Sequence, residues 1–80
     1  IVLEARVAEW LKKILEETPL SEDQRIEDDD GRWRLTATVR DSSQLKWWLL
    51  SQGCAIEVLA PAPLRVRIAQ SLKSAAQAYS

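Results

Sequence analysis

The sequence lacks histidine and asparagine altogether and holds a single cysteine, Cys54. The first absence removes the most common general base and the commonest metal ligand, and the second a frequent oxyanion donor. Cys54 can close no internal disulfide and build no multi-cysteine metal centre, and it has no histidine to activate it as a nucleophile. We expect it to be a small buried apolar residue at the start of a strand, in a reducing, cytoplasmic setting. No pair of carboxylates is marked out by spacing or by an apolar setting, so we expect no enzyme, no cofactor and no metal site. The acidic run Glu27-Asp28-Asp29-Asp30 lacks the alternating ligands and later glutamate of a calcium loop and reads as a solvated hairpin tip. Apolar runs break well before membrane-spanning length. Methionine is also missing, and the chain opens on an apolar, strand-like stretch, so we expect a piece excised from a longer protein.

What is present suits one small soluble domain over residues 1–80. A chain of 80 residues should bury roughly 60–65% of the surface its unfolded form exposes, enough for one core. Hydrophobic residues make up 46% and charged residues 29%, with a net charge of −1. That balance argues against a surface that grips phosphates all over, while leaving room for a local basic stripe.

Residues Ile1 to Arg6 alternate, with Ile1, Leu3 and Ala5 on one face and Val2, Glu4 and Arg6 on the other, as in a half-buried strand. From Val7 to Glu17 the apolar set Val7, Trp10, Leu11 and Ile14 recurs at helical spacing, and Pro19 ends the helix. Gln24 to Asp28 is a short polar segment with Ile26 as its one core candidate, which suits an edge strand. Asp30-Gly31 is a tight hairpin signal because both positions must tolerate positive φ. Arg32 to Arg40 then alternates cleanly, with Trp33, Leu35, Ala37 and Val39 inward and Arg32, Arg34, Thr36, Thr38 and Arg40 outward. Asp41, Ser42 or Ser43 can cap a second helix whose inner face is Leu45, Trp48 and Leu49, and Gly53 suits its end. Ala55 to Leu59 forms a fourth strand. Pro61 and Pro63 lead into a last helix with a stripe of Leu64, Ile68, Leu72, Ala75 and Tyr79.

The order β-α-β-β-α-β-α predicts an α+β fold: a ferredoxin-like β-α-β-β-α-β unit with a four-stranded antiparallel sheet and an additional C-terminal helix. Both crossover helices then cover one side of the sheet. The other side, carrying Glu4, Arg6, Arg25, Glu27, Arg32, Arg34 and Glu57 among others, is left open. Arg25, Arg32, Arg34 and Arg40, with Arg6 nearby, are candidates for a phosphate or anionic-ligand patch. Against this stands a charge-balanced surface in which Glu4, Glu27 and Glu57 pair with the arginines. An RNA-recognition platform is disfavoured, because the first strand has no aromatic and Trp33 is in phase with Leu35 and Val39, inside the core. Trp47 and Leu50 lie off the inner face of the second helix, either covering the rim of the core or forming an interface.

The second half of the chain resembles the WCX domain, the C-terminal extension found after WYL domains in bacterial regulators that begin with a winged helix-turn-helix. The resemblance rests on Asp30-Gly31 and the strand after it, on Leu45, Trp48, Leu49, Leu50, Ser51 and Gly53, on Glu57, Val58, Leu59 and Pro61, and on Leu64 and Arg65. The family commonly has an aromatic near position 52 and an acid near position 60, where this chain has Gln52 and Ala60. The resemblance adds Arg65 to the candidate ligand residues. It implies a regulatory module of a transcriptional regulator that supports homodimerisation and couples an effector, a nucleic acid or nucleotide-like ligand, to DNA binding by the helix-turn-helix. The partners so implied are the WYL and helix-turn-helix domains of the same chain and a second protomer. The alternative is direct binding of single-stranded nucleic acid or an anionic ligand by the arginine-lined sheet face.

Overall fold

A computed structural model describes residues 1–79. Its elements are β1 (Val2–Val7), α1 (Glu9–Glu17), β2 (Arg25–Asp29), β3 (Arg32–Thr38), α2 (Ser43–Ser51), β4 (Ile56–Ala60) and α3 (Ala62–Gln77), with a short 3-10 turn, Gly53–Ala55, before β4. The strands form one sheet in the order β2-β3-β1-β4, and all three neighbouring pairs are antiparallel. This is the α+β, ferredoxin-like arrangement with a C-terminal helix that the sequence predicts, and β2 is an edge strand as expected.

The hairpin between β2 and β3 is set by two residues. Asp29 pairs with Arg32, and between them Asp30 and Gly31 take φ of 54° and 86°, the left-handed geometry of a two-residue primed turn. In β3 the alternation holds: Leu35 and Ala37 are buried, and Trp33, with Val39 just beyond the strand's end, packs half-buried against the core. In β1, Leu3, Ala5 and Val7 face inward, and in β4 Ile56 and Val58 do so. The helices seal this side with Leu11 and Leu15 of α1, Leu49 of α2, and Leu64 and Ile68 of α3, all in one apolar cluster. Ser42 caps α2, its hydroxyl accepting from the Leu45 N–H at 3.2 Å.

Several expectations are corrected. Val7 is the last residue of β1, so α1 begins two residues later and its buried stripe is Leu11 and Leu15. Trp10 and Ile14, expected in the core, are 53% and 50% exposed, because the face turned to the sheet is centred one residue further along, on Leu11 and Leu15, a rotation of about 100°. Lys12 lays its ammonium 3.9 Å from the centre of the Trp33 ring. Cys54 is exposed rather than buried: the turn that leads into β4 hands the inward position to Ala55. Ile1, placed on the inner face, is also exposed. The long stripe of α3 buries only its first half; Leu72 and Tyr79 are exposed, as is Ala75. A 16-residue helix runs about 24 Å, whereas the five-residue strand beside it spans about 17 Å, so the helix outruns the sheet.

Candidate functional site

Register fixes what the open side of the sheet displays. Across β3 and β2, Arg34 stands opposite Glu27 and Arg32 opposite Asp29, with Arg25 opposite Thr36. Across β3 and β1, Arg34 meets Arg6 and Thr36 meets Glu4; on the far side Arg6 meets Glu57. The like-charged pair Arg6 and Arg34 is relieved by carboxylates on either flank. Asp29 lies 3.5 Å from Arg6 and 3.9 Å from Arg34, and Glu4 lies 3.3 Å from Arg34. Glu57 gathers three guanidinium groups, those of Arg32 at 3.4 Å, Arg65 at 3.5 Å and Arg6 at 3.9 Å. The result is a chain of alternating charge that crosses all four strands. Every member is substantially solvent-exposed, so each pair contributes about 0–1 kcal/mol.

The five candidate arginines therefore divide. Arg32 and Arg34 sit together in this network, and Arg65 reaches it from α3. Its Nη1 also donates to the Val58 carbonyl at 2.9 Å, tying α3 to an edge strand that has a neighbour on one side only. Arg25 lies at the opposite end of β2 from Asp29, and Arg40 in the loop after β3. Both are exposed and neither takes part in an ion pair among the described residues. Asp29 is the member that sequence reasoning misses, because it falls within the acidic run of the hairpin tip. Its signal is present all the same, since it continues the phase of Arg25 and Glu27 along β2.

The two candidate interface residues part company as well. Leu50 is half-buried against the core, while Trp47 is 75% exposed.

Where β1 ends, the hairpin turns and β4 begins, a cleft of about 560 Å³ opens, walled by Arg6, Arg32, Trp33, Glu9, Asp28 and Glu57 together with small apolar residues. A second, more apolar cleft of about 430 Å³ lies between β4 and α3, bordered by Ile56, Val58, Ile68 and Leu72. At the opposite end of the sheet Asp23 accepts from the Ser21 hydroxyl at 2.6 Å, from the Thr38 N–H at 2.9 Å and from the Thr38 hydroxyl. These bonds, the Ser21 hydroxyl foremost, hold its carboxyl down at a pKa of about 2. No helix among the described residues is long and apolar enough to cross a membrane.

Compared with models of known protein families, residues 1–76 match that of the WCX domain. No curated protein matches the chain.

Proposed function

The chain belongs to the WCX domain family, and from that premise we propose that it is the C-terminal regulatory and dimerisation module of a bacterial, cytoplasmic transcriptional regulator, working beside a WYL domain. In this role it contributes to homodimer contacts and passes effector occupancy to an upstream helix-turn-helix. It does so as an interaction module without catalysis of its own.

The observation that favours this role over a phosphate grip is the neutralised sheet face. Arg6, Arg32 and Arg34 already face Glu4, Asp29 and Glu57, and a polyanion would have to displace carboxylates at each step. Trp47, three-quarters exposed on α2, is of the residue type most enriched in interface hot spots. Trp47→Ala is expected to weaken self-association of the intact regulator in sedimentation equilibrium, or its docking on the WYL domain, by about 2 kcal/mol or more. Unchanged association and docking refute the assignment of Trp47.

The second reading, direct binding of single-stranded nucleic acid or an anionic ligand, draws support from Arg25 and Arg40, which pair with no carboxylate among the described residues, and from the three guanidiniums gathered on Glu57. It requires log affinity to fall with log salt at a slope near −0.7 per neutralised phosphate. Replacing Arg32 and Arg34 by Ala must then lower both affinity and slope.

A further inference from the structure

We propose that the cleft at the end of the sheet is a binding site for a small zwitterion carrying a carboxylate and an ammonium, an amino-acid-like ligand. Its volume, about 560 Å³, falls within the roughly 300–1,000 Å³ of small-molecule sites. What singles it out is how its charges are laid out. Arg6 and Arg32 belong to the open side of the sheet, as their pairing with Glu57 and Asp29 requires. Glu9 opens α1 on the helix-covered side, and Asp28 stands opposite Trp33 in the ladder, sharing its inward phase. The guanidinium groups thus enter the cleft from one side of the sheet, together with Glu57, and Glu9 and Asp28 from the other, with Trp33 as the large apolar wall.

The acidic wall is unpaired among the described residues, and the basic wall keeps donors to spare. Glu9 and Asp28 take part in no ion pair among the described residues, and the Lys12 ammonium of α1 lies over the Trp33 ring, 3.9 Å from its centre, rather than on either carboxylate. Arg32, whose side chain is 64% exposed, uses one Nη on Glu57 and keeps most of its five donors. Glu57 is itself a lining residue, and its carboxylate holds Arg6 and Arg32 in place while adding negative charge to their wall. A plain anion therefore meets Glu57 on one side and Glu9 and Asp28 on the other, and a plain cation meets the guanidiniums. A ligand with both charges, its carboxylate on Arg32 and its ammonium toward Asp28 and Glu9, matches both walls, with its apolar body against Trp33. The cleft would take such a ligand whether or not the domain joins two protomers, so this site and the regulatory role stand or fall separately.

The test is a titration of the chain followed by the NMR signal of the Trp33 indole N–H and by calorimetry. Two zwitterions are used, L-phenylalanine with adjacent charges and aminocaproate with separated ones. Their single-charge analogues are phenethylamine and phenylpropionate for the first, hexylamine and hexanoate for the second. Binding of at least one zwitterion is expected, with its analogues weaker by about tenfold or more. Asp28→Asn and Arg32→Ala, exposed positions that leave the fold intact, should each weaken binding by about tenfold, and Lys13→Ala on the outer face of α1 should leave it unchanged. The proposal is overturned if neither zwitterion binds, if an analogue binds as well as its parent, or if the two cleft variants bind as the unaltered chain does.

Discussion

Leu15→Ala and Ile14→Ala are neighbouring truncations for which the structure demands opposite outcomes. Leu15 is 2% exposed and belongs to the core cluster, so cutting it to alanine removes buried carbon and leaves a void beneath α1, at a cost of about 2–5 kcal/mol. Ile14 is 50% exposed and its truncation should stay within about 0.5 kcal/mol of neutral. A domain of 80 residues has a total stability of about 4–12 kcal/mol, so the first change consumes a large share of it and the second almost none. Urea unfolding followed by tryptophan fluorescence reads the difference directly. With an m-value of about 1 kcal/mol/M for so small a chain, Leu15→Ala should lower the midpoint by about 2 M or more, or leave the chain unfolded without denaturant. Equal midpoints for the two variants, or a larger loss from Ile14→Ala, refute an α1 that turns Leu11 and Leu15 to the sheet and restore the stripe of Trp10 and Ile14 that the sequence suggests.

Asp23, whose pKa is lowered from 3.8 to about 2 by its bonds to Ser21 and Thr38, contributes stability that is fully present above about pH 4 and is lost as the pH falls toward 2. Asp23→Asn should flatten that part of the acid-unfolding curve, and an unchanged curve contradicts a stabilising role for these bonds. The Gln24 side chain accepts from the Leu20 N–H at 2.8 Å and donates to the Leu15 carbonyl at 2.9 Å, closing the end of α1; Gln24→Ala should cost about 1–2 kcal/mol in urea unfolding. Asp29→Ala should destabilise more than Arg34→Ala, because it leaves Arg6 and Arg34 facing each other, whereas Arg34→Ala leaves Asp29 still paired with Arg6. Added salt should narrow that gap, and a gap indifferent to salt argues against a Coulombic origin.

The sheet is legible in the sequence because its signals are short-range. Asp30-Gly31 is a two-residue requirement on φ, and the alternation of β3 is a two-residue period; both survive any tertiary context that keeps Leu35 inside. The first helix is harder. Its nine residues offer two overlapping apolar stripes, Trp10 with Ile14 and Leu11 with Leu15, and only the length of β1 decides which faces the sheet. The place of Cys54 before a strand suggests burial, but the 3-10 turn over Gly53–Ala55 breaks the strand's period. Asp29 is hard to recognise for the same kind of reason: its role depends on β2 extending to the turn itself. The end of α3 misleads because a helical period says where apolar residues would meet a surface, and says nothing about whether the surface reaches that far.

Charge arrangement separates the two surfaces more sharply than charge content does. On the open face the four strands supply Arg6, Arg25, Arg32 and Arg34 against Glu4, Glu27, Asp29 and Glu57, and the signs interleave strand by strand. An interleaved surface is nearly neutral at the length of a nucleotide, so it attracts a polyanion weakly, but it can match a protein surface of complementary pattern with high selectivity. The cleft at the end of the same sheet holds some of the same residues in another arrangement, with Arg6, Arg32 and Glu57 from one side and the unpaired Glu9 and Asp28 from the other. Charges so placed around an apolar wall select a small molecule by its own dipole, because only one orientation satisfies both ends. The hairpin at Asp30-Gly31 produces both patterns: it holds Asp29 opposite Arg32 on the open side and Asp28 opposite Trp33 on the other. Its register therefore determines which acid joins the ion-pair network and which is left for the cleft.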